Sequence, residues 1–262
     1  MVNKKVVSGK GTSMVKWDEK FAAMAKKSAK IVSGIGGDSN FIKLQGGQLQ
    51  YQGAAVPGNS MDVVIIDHVL VNMLYKDKFD SNNPTSPICF AFGETVEEMV
   101  PPKEAHEPQN DGEGCATCPN NEWGTADTGR GKRCKNSVRL AMISIEDLKD
   151  IPEAEVAFMH VPVTSVKLWA GYVRMLDDTH HRPSLGVVTR ITVVPDKDTQ
   201  FKVKFDLVEL TEDNEQIAAL FAKYEQVNQT IRFPFVFVES ENKPVASGKA
   251  RKFAALAGKG RK

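Results

Sequence analysis

No apolar run in the chain is long enough to span a membrane. The longest, in residues 63–75, is interrupted by Asp67, His68 and Asn72, far short of the roughly 20 residues a spanning helix needs. Behind the N-terminal lysines there is no apolar stretch leading to a small-residue cleavage site, so no secretory leader is expected. The charge has almost no bias: 34 Lys and Arg against 33 Asp and Glu leave a formal +1. The total therefore neither favours nor disfavours a nucleic acid, and only the distribution along the chain can decide. There is no Walker loop, no Gly-x-Ser-x-Gly, no His-Glu-x-x-His and no internal repeat. These absences leave a soluble, intracellular protein with no visible active site as the expectation. Cysteine is scarce, with four in 262 residues. In a reducing compartment four thiols fit a metal better than a disulfide framework.

What is present is mostly strand pattern. Residues 1–15 are rich in Lys, Gly and Ser and are expected to form a flexible basic arm. From Lys16 to Ser33, Trp17, Phe21, Met24, Ala25 and Ser28 fall on one helical stripe, which Gly34 to Gly37 ends. Phe41–Leu44 and Leu49–Tyr51 flank a Gly46-Gly47 turn and predict a hairpin. Met61–Tyr75 predicts one long or bent strand, and Ile88–Phe92 a short one. Residues 94–134 form an irregular insert whose first part is acidic, through Glu94, Glu97, Glu98, Glu104, Glu107, Asp111 and Glu113. Loops of that length are uncommon unless functional or pinned. Strands are predicted again at Val138–Ile145, Ala154–Val161, Val187–Val194 and Phe201–Leu210, the last two as a hairpin. Helices are predicted at Val166–Leu176 and after Thr211, which is taken as a cap. Phe233–Val238 reads as a last strand, and residues 246–262 as a basic flexible tail. The fold expected is mainly β (α+β): an OB-type barrel over residues 16–245, elaborated with helices and a zinc-binding loop insertion at about 89–139.

The insertion holds the chemistry. Cys115-Ala-Thr-Cys118 can present two thiols to one metal from a tight turn. Cys134 follows a glycine-rich loop from Gly124 to Gly131, and Cys89 lies upstream on a short strand. Together they suggest a closed four-cysteine site for one structural Zn²⁺, with Lys132, Arg133 and Lys135 placed to offset its formal −2 charge. His106 is the rival fourth ligand. Two plainer readings compete: Cys89 as a small buried hydrophobe, and Cys115 with Cys118 as a redox pair. The second lacks the strand-to-helix setting such pairs occupy. A catalytic zinc needs an open position, which four thiolates would close.

The runs Pro87-Ile88-Cys89-Phe90, Cys115-Ala-Thr-Cys118-Pro119, Trp123-Gly124 and Gly131-Lys132-Arg133-Cys134, followed by Arg139-Leu140-Ala141, resemble a family of bacteriophage proteins. Its members are usually uncharacterised or assigned as single-stranded DNA-binding proteins. The resemblance covers roughly residues 40–210. It implies an OB-type barrel, a zinc insert and binding of displaced single strands during phage replication or recombination. The setting implied is the cytoplasm of an infected bacterial host, with phage replication or recombination proteins as partners and self-association along DNA. Many single-strand binders end in an acidic tail that recruits partners. This chain ends in a basic one.

Binding a single strand without sequence preference needs a cationic groove and aromatic faces. Arg130, Lys132, Arg133, Lys135 and Arg139 cluster around the last cysteine, near Trp123. Trp169 and Tyr172 interleave with Lys167 and Arg174. Arg190, Lys202 and Lys204 lie on the predicted hairpin. Each has a structural alternative, Trp169 and Tyr172 as core above all. His180-His181 sits in a proline-containing turn and does not suggest catalysis. The expectation is thus a non-enzymatic single-strand binder. Its competitors are a structural or protein-interaction protein and, last, a metal-dependent nuclease.

Overall fold

The computed structural model describes residues 40–77, 85–127 and 129–235, together with Phe21 and Met24. Within them, nine strands and two α-helices follow one another: β1 (Phe41–Gln45), β2 (Gln48–Tyr51), β3 (Ala54–Ala55), β4 (Ser60–Leu74), β5 (Cys89–Gly93), β6 (Lys135–Ser144), β7 (Ala157–Val161), α1 (Val166–Met175), β8 (Val187–Asp196), β9 (Gln200–Leu210) and α2 (Asn214–Asn228). The sheet runs β3-β2-β1-β7-β6-β4-β8-β9, and β5 adds to β4. Among these strands β1 and β7 pair in parallel and the other pairings are antiparallel. No helix among the described residues is long and apolar enough to cross a membrane.

β4 organises the fold because both its faces are buried. Its register against β6 shifts between Ile65 and Asp67. An extra residue in a strand reverses which parity faces which side. Before the bulge Val63 and Ile65 join one core and Val64 and Ile66 the other; after it Val69, Val71 and Met73 continue the second. The near-continuous apolar run in this segment follows from burial on two sides. The first core is closed by Trp169, Tyr172 and Leu176 from α1 and its end, the second by Leu220 and Val227 from α2.

The sheet curls but does not close into a barrel, since β3 and β9 end the strand order without pairing to each other. One side chain ties the β1–β2 hairpin to β8 across the curl. Asn59 donates to the carbonyls of Gly47 (2.8 Å) and Val193 (3.3 Å) and accepts from the Leu49 amide (2.7 Å). Gly46 and Gly47 both have positive φ, as the two-residue hairpin turn requires. The architecture is therefore a mixed α+β fold around a curled, open sheet.

Most predicted elements form. The cap of α2 differs: the Asp213 side chain, not Thr211, accepts from the Gln216 amide. Residues 233–235 form no ladder, so the described part of Phe233–Val238 is not a strand. The basic arm, most of the predicted Lys16–Ser33 helix and the 246–262 tail lie outside the described residues.

Candidate metal centre and cationic loop

β4 ends between two neighbours that each begin beside a cysteine. Cys89 opens β5 opposite Leu74, and Cys134 precedes Lys135, which opens β6 opposite Met73. The insert then folds back over this end. Gly93 allows the return, since a Cβ there would meet Met99 Cγ at 2.6 Å and the Thr95 carbonyl at 2.8 Å. The Cys115 amide donates to the Met99 carbonyl (2.8 Å) and the Cys134 amide to the Asn120 carbonyl (2.8 Å). Asn121 locks the Cys115–Cys118 turn, its side chain donating to the Cys115 carbonyl (2.8 Å) and its amide to the Cys118 carbonyl (2.9 Å).

All four cysteines are reduced, buried and in the wall of one cavity of about 10 Å³. That is room for about one small sphere. Burial pushes the thiols of Cys89 and Cys115 up, and that of Cys134 up to about 12, with the other three sulfurs adding repulsion at Cys134. Amide donors oppose this: the Gln109 backbone at Cys89, the Met73 backbone at Cys134 and the Asn72 side chain at Cys115. Asn72 also lies in the cavity wall. Its oxygen accepts from Asn136, while its nitrogen has no hydrogen-bond partner of ordinary length among the described residues. An unpartnered amide nitrogen in the same cavity wall as four cysteines is a donor that a thiolate there would satisfy better than a thiol. The sulfurs are not drawn into a formed cluster: among the described residues no three His, Cys, Asp or Glu side chains stand in a metal-holding arrangement. His106 is exposed, lies 3.8 Å from the Glu107 carboxylate and is not in the cavity wall.

The loop between Cys118 and Cys134 reaches solvent. The Gly131 carbonyl accepts from the amides of Gly124 (3.0 Å) and Ala126 (3.1 Å), closing its neck. Trp123 is 77% exposed, and the Lys132 ammonium stands 5.7 Å from its ring centre. Lys132 also donates to the Asn121 side chain (3.2 Å), the residue that locks the cysteine turn. Arg130, Arg133 and Lys135 are exposed nearby in sequence.

Three residues expected at the binding surface are buried instead. Arg139 is fully buried and donates to the carbonyls of Ile231 and Phe233. Trp169 is 3% exposed and packs edge-on against Phe205, and Tyr172 hydrogen-bonds Thr189 in the same core. None of the three presents a free surface. On the β8–β9 hairpin, Arg190 is held by both oxygens of Asp62 (2.7 and 2.8 Å) and Lys202 by Asp196 (2.7 Å). Lys204 is exposed. The roles of Asn72 and Asn121 have no signal in the sequence, because an asparagine beside a cysteine is informative only once the chain has folded.

No family model, no curated protein and no solved structure matches this chain.

Proposed function

We propose that the chain is a non-enzymatic single-stranded DNA-binding protein whose cationic loop is held rigid by one structural Zn²⁺. The observation that carries this reading is Trp123. A tryptophan 77% exposed beside a lysine, on a loop tied down by a buried four-cysteine cavity, makes a stacking face with a phosphate contact next to it. Four thiolates are a donor set for tetrahedral Zn²⁺. Cys89, Cys115, Cys118 and Cys134 would hold the ion by turning inward, and the amides of Gln109, Asn72 and Met73 would support the resulting negative charge. The ion would supply folding energy to an insert whose regular structure, among the described residues, is two single-turn 3-10 helices, Asn110–Gly112 and Pro119–Asn121.

The curled, open sheet is the half of an OB-type barrel that suits this function, with Asn59 linking the β1–β2 turn to β8 across the curl. The resemblance to phage proteins favours a role in replication or recombination within an infected bacterial cytoplasm, with self-association along the strand. Titrating salt against labelled single-stranded and duplex oligonucleotides tests the reading. Preference for the single strand, weakening steeply with salt, is expected. Equal affinity for both would count against it.

A second reading rests on the other half of the insert. Glu94, Glu97, Glu98, Glu104, Glu107, Asp111 and Glu113 are acidic positions there, with Val96 and Val100 exposed among them. This acidic flank would repel phosphate and suits a protein partner. Protein binding without DNA binding would favour a protein-interaction role.

A further inference from the structure

We propose that the sheet face around Arg139 is a second platform for single-stranded nucleic acid, and that residues 231–235 occupy it as an internal competitor. The proposal rests on the single-strand reading above but uses a different surface. Register places the parts. Arg139 on β6 stands opposite His160 on β7 and Val69 on β4, and Ala141 stands opposite Phe158, which pairs with Phe41 on β1. Phe92 on β5 stands opposite Val71. Neighbouring strands thus carry three phenyl rings, an imidazole and a guanidinium on one side of the sheet. Rings and a cation across adjacent strands are what stacked bases and a phosphate need.

The present occupant is held in a way that bases could copy. Residues 231–235 alternate inward and outward like a strand but join no ladder. One Arg139 nitrogen donates to the carbonyls of both Ile231 and Phe233, each at 2.8 Å. Phe235 lies parallel to Phe92 (5.9 Å, 7°) and nearly parallel to His160 (5.7 Å, 23°). Phe233 meets Phe158 edge-on at 5.0 Å, and the guanidinium stands 4.0 Å from its ring centre. A paired strand could be replaced only by another strand. Ring faces and a guanidinium accept any planar ring with an anion beside it.

Charge makes the exchange favourable. Burial lowers the Arg139 pKa to about 9, which leaves it a cation at neutral pH. No carboxylate pairs with it among the described residues, and two of its three nitrogens lack a hydrogen-bond partner there. Ring faces and carbonyls offset a buried cation only in part. A phosphate would supply the missing anion. The segment is anchored at its root, where Ile231 is buried in the second core and its amide donates to the Val227 carbonyl (2.7 Å). Beyond that its outer hold is an exposed Arg232–Glu94 pair at 3.0 Å, so residues 233–235 are the part that exchanges. A cavity of about 290 Å³, lined in part by Ile231, Arg232, Val69 and Leu70, gives the segment room to leave.

Hydrogen exchange of the full chain, with and without saturating oligothymidylate of roughly 16 nucleotides, tests the exchange. The Phe233 amide, hydrogen-bonded to the Thr230 carbonyl (3.1 Å), should lose protection when the oligonucleotide binds, as followed separately by anisotropy. The variant Phe233→Ala/Phe235→Ala should bind roughly tenfold more tightly if the segment covers the face about nine-tenths of the time. A thiothymidine oligonucleotide should crosslink to residues 157–161 more strongly in that variant. Unchanged or increased protection of the Phe233 amide on a saturated wild-type chain would overturn this inference and leave the Trp123 loop standing. Binding by the variant alone would support it and remove the loop as the primary site. No binding by either form would overturn both readings.

Discussion

The hydroxyls of Tyr172 and Thr189 lie 2.7 Å apart in a part of the core closed to solvent. The bond joins α1 to β8, and it explains why an aromatic residue flanked by basic positions in the sequence is not a stacking platform. Tyr172→Phe leaves the Thr189 hydroxyl buried and unpaired, which should cost about 1–3 kcal/mol of stability. Urea denaturation measures that loss. Affinity of the folded variant for single strands should not change, and a selective loss of affinity would return Tyr172 to the binding surface.

Strand positions are legible where one face or both are buried, because alternation and β-branched runs report burial directly. The hairpins at Gly46-Gly47 and Asp196–Thr199 also follow from local turn chemistry. The cysteine spacing suggests a grouping, and all four line one cavity, but among the described residues they do not stand in a metal-holding arrangement, so the zinc site stays a proposal. Arg139, Trp169 and Tyr172 are misplaced by sequence reasoning for a common reason: a residue's type states what it could bind, but only the tertiary fold says what covers it. Arg139 shares its face of β6 with the exposed Lys135, but residues 231–235 cover the sheet there and their carbonyls take its guanidinium. Thr211 is misread because several consecutive residues could cap α2, and the one in place is decided by where β9 ends.

Metal content is the most direct check on the insert. Protein purified without added metal should carry about one Zn²⁺ per chain. Cys118→Ser should release the metal and destabilise the fold, since metal binding and folding are coupled at such sites. Cys89→Ser should weaken retention more than His106→Ala, because Cys89 lines the cavity and His106 does not. The opposite order would move the site to three cysteines and a histidine, and absence of metal with four freely titrating thiols would remove it.

Asn72 offers a test that leaves every sulfur in place. Its side chain lines the cavity with Cys115 and works against the burial that pushes that thiol up, and its oxygen accepts from Asn136. Asn72→Ala should therefore weaken zinc retention by about 10–100-fold, the usual cost of losing a partner that supports a metal ligand. Competition with a chromogenic chelator reads this out. A loss of thermal stability with unchanged metal affinity would make Asn72 a packing residue only.

The loop prediction separates stacking from charge. Trp123 is exposed and its ring adds nothing to either buried core, so Trp123→Ala should leave the melting temperature nearly unchanged. If bases stack on it, the same change should cost about 1–3 kcal/mol in single-strand affinity. Arg133 and Lys135 flank Cys134 from exposed positions, and neither has a carboxylate partner among the described residues. Reversing either charge should weaken binding on all sequences alike and reduce the salt slope, because phosphate contacts carry no base information. Arg190→Ala should do less, since both oxygens of Asp62 already neutralise that guanidinium. Anisotropy titrations at several salt concentrations distinguish these outcomes. A Trp123→Ala variant with wild-type affinity and an Arg133 reversal without effect on the salt slope would together remove the loop from the binding surface.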